Sequence, residues 1–208
     1  MTPAQKKKNT RQNLLESAAV LFTEKGYNNT SVAEICELAK ANIASVNYHF
    51  RSKEELYREV LTYTHEQAEV LYPMASNDEK NVEEKLYRFI LAFLKRIIST
   101  EMNGNFYQLV AKEMAEPIEA SGTLINEIVA KKRETILQLI KELYGKPAEP
   151  QLFSQMTHSI VSQCLFLGLH QKGRQHHLKR KPLDLSDAES FAKHITKFCL
   201  AGIKHYPS

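Results

Sequence analysis

The stretch from Ser31 to Lys53, SVAEICELAKANIASVNYHFRSK, constrains this chain more than any other. It carries the signals for two short helices, a tight turn and the start of a third helix. Ser31 with Glu34 fits a capping box, in which the hydroxyl takes an orphan helix N–H and the carboxylate reaches back to the cap. Val32, Ile35, Cys36 and Ala39 recur at i, i+3, i+4 and i+7, one apolar face of a first helix. Lys40 and Ala41 make the turn, and Asn42 suits the N-cap of a second helix from Ile43 to Phe50. On that helix Val46 and Phe50 point one way, four apart, which leaves Ser45, Asn47, Tyr48 and His49 on its other sides. Small residues at its start and hydrogen-bonding side chains along its outer face suit insertion into a DNA major groove. Ser52 caps the next helix with Glu55 at N3, and Lys53 beside that helix start is placed to meet a phosphate. The expected DNA-contacting set is therefore Ser31, Ile43, Ala44, Ser45, Asn47, Tyr48, His49 and Lys53.

Charge points the same way. The net charge of the 208 residues is +4; residues 1–53 hold eight Lys and Arg against four Asp and Glu, whereas residues 54–208 balance twenty against twenty. The whole excess sits on the segment with the two short helices, and phosphate binding scales with such local charge. Lys6, Lys7, Lys8 and Arg11 form a short basic arm, readable as a solvated disordered tail or as a phosphate-contacting arm that orders on DNA.

Glycine and proline, seven of each, are few for this length, and β-branched runs of period two are absent, so an all-α fold is expected. The hydrophobic share of 43% and charged share of 25% are ordinary for a soluble globular chain long enough to bury a sizeable core. Cys36, Cys164 and Cys199 lie far apart within apolar helical patterns and read as buried thiols, not as a zinc site or disulfide framework. The basic N-terminus is followed by no apolar run, and nothing approaches the roughly 18 apolar residues of a membrane span. A cytoplasmic protein is expected, without membrane partner, metal or cofactor.

The segments Phe22-x-x-x-Gly26-Tyr27, Thr30-Ser31-Val32-x-x-Ile35 and Tyr48-His49-Phe50-x-Ser52-Lys53-Glu54-Glu55-Leu56 closely resemble, in order and spacing, the helix-turn-helix of TetR/AcrR-type transcriptional repressors. That family usually has glycine in the helix–helix turn, where this chain has Lys40. A left-handed backbone there would cost a lysine about 1 kcal/mol, so the turn is expected to differ slightly. Glu113-Met114-Ala115-Glu116-Pro117 and Ser162-Gln163-Cys164-Leu165-Phe166 resemble the effector domain of CecR-type members, and the run from Asn42 to Phe50 is similar to that subgroup's recognition helix. The resemblance implies double-stranded operator DNA and a small-molecule effector as partners. It also implies a homodimer in which the last two long helices of each subunit build a four-helix interface.

About nine helices are expected. Helix one runs from Thr10 to Lys25, with Leu14, Leu15, Ala18, Leu21 and Phe22 on one face and Gly26 as its stop. After the two short helices come Lys53–Leu71, then Glu79–Thr100 behind an Asp78 cap, Phe106–Ala115 after a polar break containing Gly104, Gly122–Leu143, Pro150–Gln171 and Ser186–His205. The domain reading is a helix-turn-helix DNA-binding domain over 1–52 and a ligand-binding and dimerisation domain over 53–208. Ile160, Cys164, Leu167, Phe191, Ile195, Phe198 and Ile203 supply the apolar surface expected for a homodimer on the last two long helices.

No Gly-rich phosphate loop, G-x-S-x-G elbow or H-E-x-x-H pair is present, so an enzyme is not expected. His170, His176 and His177, with Lys172, Arg174, Lys179, Arg180 and Lys181, read either as a metal, proton or anion site or as a solvated basic loop; a His-His pair without a spaced third ligand favours the loop. Phe93, Tyr107, Met114, Gln163, Phe166 and His170 offer the apolar lining and few polar groups of a pocket for a small amphipathic molecule, although each also reads as helix core. Two functions follow: a dimeric transcriptional repressor released from its operator by such a ligand, or an architectural or interaction protein that binds DNA without small-molecule control.

Overall fold

The computed structural model describes residues 3–74, 81–99, 105–118, 121–169, 179, 181 and 183–206, and it is all-α: nine helices and no strand among them. In chain order these are α1 Pro3–Lys25, α2 Val32–Ala39, α3 Ile43–Phe50, α4 Lys53–Leu71, α5 Val82–Ile98, α6 Asn105–Ala115, α7 Gly122–Tyr144, α8 Pro150–Leu169 and α9 Leu185–Lys204. Helix starts follow the caps. Ser31 and Glu34 form both halves of the capping box, the Asn42 side chain accepts from the Ser45 N–H, and Ser52 Oγ accepts from the Glu55 N–H at 3.1 Å. Asp78 and Gly104 lie outside the described residues, and the described cap of α5 is Asn81.

Two local expectations are corrected. Helix α1 begins at Pro3 rather than Thr10, so the backbone of the basic arm continues the helix; proline is favourable at a first helical position because its missing N–H is an orphan there anyway. The side chains of Lys6, Lys7 and Lys8 lie outside the described residues. The turn after α2 does not differ from the left-handed form: Lys40 adopts φ 52, ψ 43. Its N–H bonds back to the Cys36 and Glu37 carbonyls, and Ala41 N donates to Cys36 O at 2.9 Å, so paired closing bonds hold a geometry that glycine would take freely.

The chain packs as two compact units, Met1–Ala68 with Thr100–Ile125, and Glu69–Ser99 with Asn126–Ser208. Packing thus divides the chain elsewhere than the functional boundary at 52/53, because most of α4 and all of α6 belong with the first three helices. In the first unit α1 packs on α2, α3 and α6. Leu14, Ala18 and Phe22 of α1 meet a core that includes Ile35, Val46, Phe50, Leu56 and Tyr57, all at most 2% exposed. Phe22 and Tyr57 meet edge to face at 4.9 Å, and each large apolar side chain so buried contributes roughly 1.5–3 kcal/mol. The second unit is centred on α5, which packs on α8 and α9 and buries Leu86, Phe89, Ile90, Phe93, Leu94 and Ile97.

Candidate nucleic-acid interface

Helix α3 is too short to be stable alone, so its orientation comes from the two anchors it sends inward, Val46 at 0% and Phe50 at 2% exposure. Fixing those two on the core leaves Ile43, Ala44, Asn47 and Tyr48 exposed, Tyr48 at 63%. His49 is half-buried, its ring edge-on to Tyr48 at 4.9 Å and to Phe50 at 6.1 Å. The eight residues of α3 span roughly 12 Å, which suits a B-DNA major groove about 12 Å wide.

The remaining expected contacts fare differently. Ser45 is half-buried and its Oγ lies 2.8 Å from Asn42 Oδ1, so its hydroxyl serves the cap of α3. Ser31 is exposed, but its N–H donates to Glu34 Oε2 and its Oγ bonds both Glu34 Oε2 and the Glu34 N–H, so both of its donors are spent in the capping box. Lys25 pairs with Glu34 at 2.6 Å; that hydrogen bond and those from Ser31 hold the Glu34 carboxyl down at about 2. Lys53 is half-buried, its Nζ 4.1 Å from the centroid of the Tyr27 ring. Burial lowers its pKa, against the opposing pull of Glu34.

Sequence reasoning missed what steadies α3 from behind. Arg11 pairs with Glu59 of α4 and lays its guanidinium 5.0 Å from the Phe50 ring centroid, so it braces the end of α3 instead of serving the basic arm. Partners 48 residues apart leave no periodic signal. Arg51, directly after α3, adopts φ 67, ψ −47, a strained conformation for a side-chain-bearing residue. Behind the interface, the buried Glu113 accepts from Ile118 N at 3.0 Å and Ser121 Oγ at 2.5 Å. Burial, with the Glu113 carboxylate beside it, raises the Tyr57 phenol well above its ordinary range.

The residues expected at a ligand pocket are divided between the two units. Phe93, Gln163 and Phe166 belong to the second unit, Tyr107 and Met114 to the first, and His170 lies outside the described residues. Phe93 is buried and Tyr107 half-buried, but Met114 is 77% and Phe166 66% exposed. Gln163 ties α8 to α9, donating to Cys199 Sγ at 3.5 Å. A cleft of about 280 Å³ in the first unit is lined by Lys25, Tyr27, Tyr57, Lys112, Glu113 and Glu116 among others, and by none of the expected ligand residues. The expected dimer surface is corrected in part: Ile160, Cys164, Ile195 and Ile203 lie in the interior of their unit, Leu167 and Phe191 are half-buried, and Phe198 is 66% exposed.

The three cysteines are free and buried, and burial raises all three thiols. No group of three or more His, Cys, Asp or Glu that could hold a metal occurs among the described residues; His170, His176, His177, Lys172, Arg174 and Arg180 lie outside them. No helix among the described residues is long and apolar enough to cross a membrane.

Comparison with known proteins agrees with this architecture. Residues 14–60 match the model of bacterial regulatory proteins of the tetR family, and residues 82–203 match that of the C-terminal domain of the HTH-type transcriptional dual regulator CecR. The Bacillus subtilis protein named Probable HTH-type transcriptional regulator YttP is 30% identical over 160 residues, which cover 74% of this chain and 73% of that protein. The Staphylococcus aureus protein named Biofilm operon icaADBC HTH-type negative transcriptional regulator IcaR is 24% identical over 118 residues, covering 57% of this chain and 61% of that one. Among solved structures, a TetR-like transcriptional regulator from Rhodococcus sp. RHA1 superposes with a TM-score of 0.70 at 17% identity, covering 93% of this chain and 96% of that one. The fatty acid degradation regulator FadR from Bacillus halodurans superposes with a TM-score of 0.66 at 16% identity, over 99% and 98%.

Proposed function

The chain belongs to the TetR family of bacterial regulatory proteins, with a C-terminal domain of the CecR type, and from that premise we propose that it is a homodimeric repressor released from its operator by a small amphipathic ligand. As a member of that family it is a DNA-binding transcriptional regulator and not an enzyme. The observation that carries the proposal is α3 itself: two anchors pointing inward and a polar, exposed outer face braced by Arg11.

On this reading Asn47 and Tyr48 reach base edges, Ile43 and Ala44 meet apolar groups in the groove, and His49 borders the contact. Lys53 meets a phosphate at the start of α4. Ser31 and Ser45 contribute chiefly by holding the caps that aim α2 and α3, since their hydroxyls are engaged there. Pairing two subunits through α8 and α9 covers Phe166 and Phe198 and sets two recognition helices about one DNA turn apart, roughly 34–36 Å. Repression is the sense of regulation that the name of the Staphylococcus aureus relative, a negative transcriptional regulator, carries.

Release requires the ligand to bind one head separation better than the other, and by linkage DNA then weakens the ligand as much as the ligand weakens DNA. The test is to titrate an inducer found by thermal shift with and without operator DNA present. A lower affinity in the presence of DNA is expected. Equal affinities leave a DNA-binding regulator without this control.

A further inference from the structure

Arg96 of α5 is the largest wholly buried side chain among the described residues, at 0% exposure. Its Nε donates to the Tyr72 carbonyl at 2.7 Å and its Nη1 to Glu69 Oε1 at 2.7 Å, while its Nη2 is buried with no acceptor. Lys132 of α7 pairs with the same Glu69 oxygen. Burial pushes the Glu69 carboxyl up, but Arg96 and Lys132 outweigh it and hold the group at about 2, so Glu69 stays ionised. These three side chains therefore carry two positive charges against one negative, with Arg96 wholly shielded from water and Glu69 and Lys132 partly exposed. A guanidinium has five donors and no way to withdraw its charge, so a buried, unspent Nη2 favours the arrival of an acceptor. Phe89, Phe93 and Arg96 follow one another at i, i+4 and i+7, on one side of α5. Both rings are buried, with centroids 6.3 Å apart. One helix face thus joins a positively charged end with an unused donor to an aromatic run.

We propose that the effector is an amphiphile with a single carboxylate head, which Arg96 takes through Nη2 while its apolar tail lies along Phe89 and Phe93. This rests on the ligand-released reading above and gives its ligand a chemical class. A monoanion brings the cluster to neutrality, whereas a phosphate dianion overshoots by one charge. A carboxylate at Nη2 also competes with Glu69 for the guanidinium. Glu69 lies in the last turn of α4 and Tyr72 directly follows that helix, so the head group loosens the grip of Arg96 on the end of α4.

The test uses the full chain, with two probe pairs matched in tail: dodecanoate with 1-dodecanol, and 2-naphthoate with 2-naphthol. Binding and release of operator DNA are read for each. The wild type is expected to bind the carboxylate of at least one pair tenfold or more tighter than its alcohol. Arg96→Lys, which keeps the charge and removes Nη2, is expected to abolish that preference and leave the affinity for the alcohol unchanged. Lys132→Met, at a partly exposed site, is expected to narrow the preference and tests the charge argument should Arg96→Lys fail to fold. A wild type that does not favour a carboxylate in either pair overturns the proposal, as does a preference that survives Arg96→Lys, or survives Lys132→Met where Arg96→Lys does not fold. Alcohols that release DNA as well as their carboxylates sink the anchor alone and leave ligand control standing. If no probe binds, the carboxylate proposal falls, and ligand control is decided by the inducer titration above.

Discussion

The surface around α2 and α3 and the cluster on α5 handle their polar groups differently. Around α2, α3 and the start of α4, every cap meets its partner within three residues, and Arg11, braced across helices, finds both a carboxylate and a ring. The α5 unit buries an arginine with a donor unspent, and leaves Phe166 and Phe198 each 66% exposed. A part that must hold one shape to read DNA gains from agreement between local signals and tertiary packing. A part that answers a ligand or a second subunit carries groups whose partners lie outside its own chain.

The contrast can be broken most forcefully at the core of the first unit. Phe50→Ala empties a site that is 2% exposed and removes the surface beneath Arg11, so a loss of about 3–5 kcal/mol in unfolding free energy is expected by urea denaturation. A loss below about 1 kcal/mol would mean that α3 is not held from within.

Substitution on the surface of the other unit should act on assembly and not on folding. Phe198→Asp is expected to weaken self-association by about 2 kcal/mol or more, measured by sedimentation equilibrium, with the subunit's helical content unchanged. A wild type that is already monomeric at micromolar concentration would remove the reason offered for the exposed rings.

Two head substitutions separate reading from attraction. Asn47→Ala should alter sequence preference by about 1–3 kcal/mol, while Lys53→Ala should weaken binding to all sequences alike and reduce the salt slope by about one. Unaltered selectivity or an unaltered slope in a binding assay would take the respective residue out of the interface. The smallest effect is a gain. Lys40→Gly relieves the left-handed residue at φ 52 and should stabilise the head by about 1 kcal/mol, seen as a rise of roughly 2–4 °C in the melting temperature.

Legibility in the sequence followed the range of the interactions. Capping boxes, apolar faces at helical spacing and the stop at Gly26 are relations within a few residues, and α2, α3 and α4 appear where those relations place them. Among the expected ligand residues, Phe93, Tyr107, Met114 and Phe166 share an apolar character but not a degree of burial. An apolar residue in an amphipathic helix reads the same whether it faces a core, a cavity or a second subunit. Ile160, Cys164, Ile195 and Ile203, expected on a dimer face, turned out to be interior for that reason.

By itself the sequence determined the helical class, the position of α3 and which of its faces turns inward, since short-range hydrogen bonding and a 3.6-residue period decide these, while the resemblance of its motifs pointed to the family. Only the tertiary structure decided that Arg11 leaves the basic arm to brace Phe50, that Glu113 gathers Ile118 and Ser121, and that Arg96 lies wholly buried against Glu69 and Tyr72. For Arg11 and Arg96 the reason is separation along the chain: Arg11 meets Glu59 across 48 residues and Arg96 meets Glu69 across 27, and no local pattern records which distant partner a long charged side chain will find.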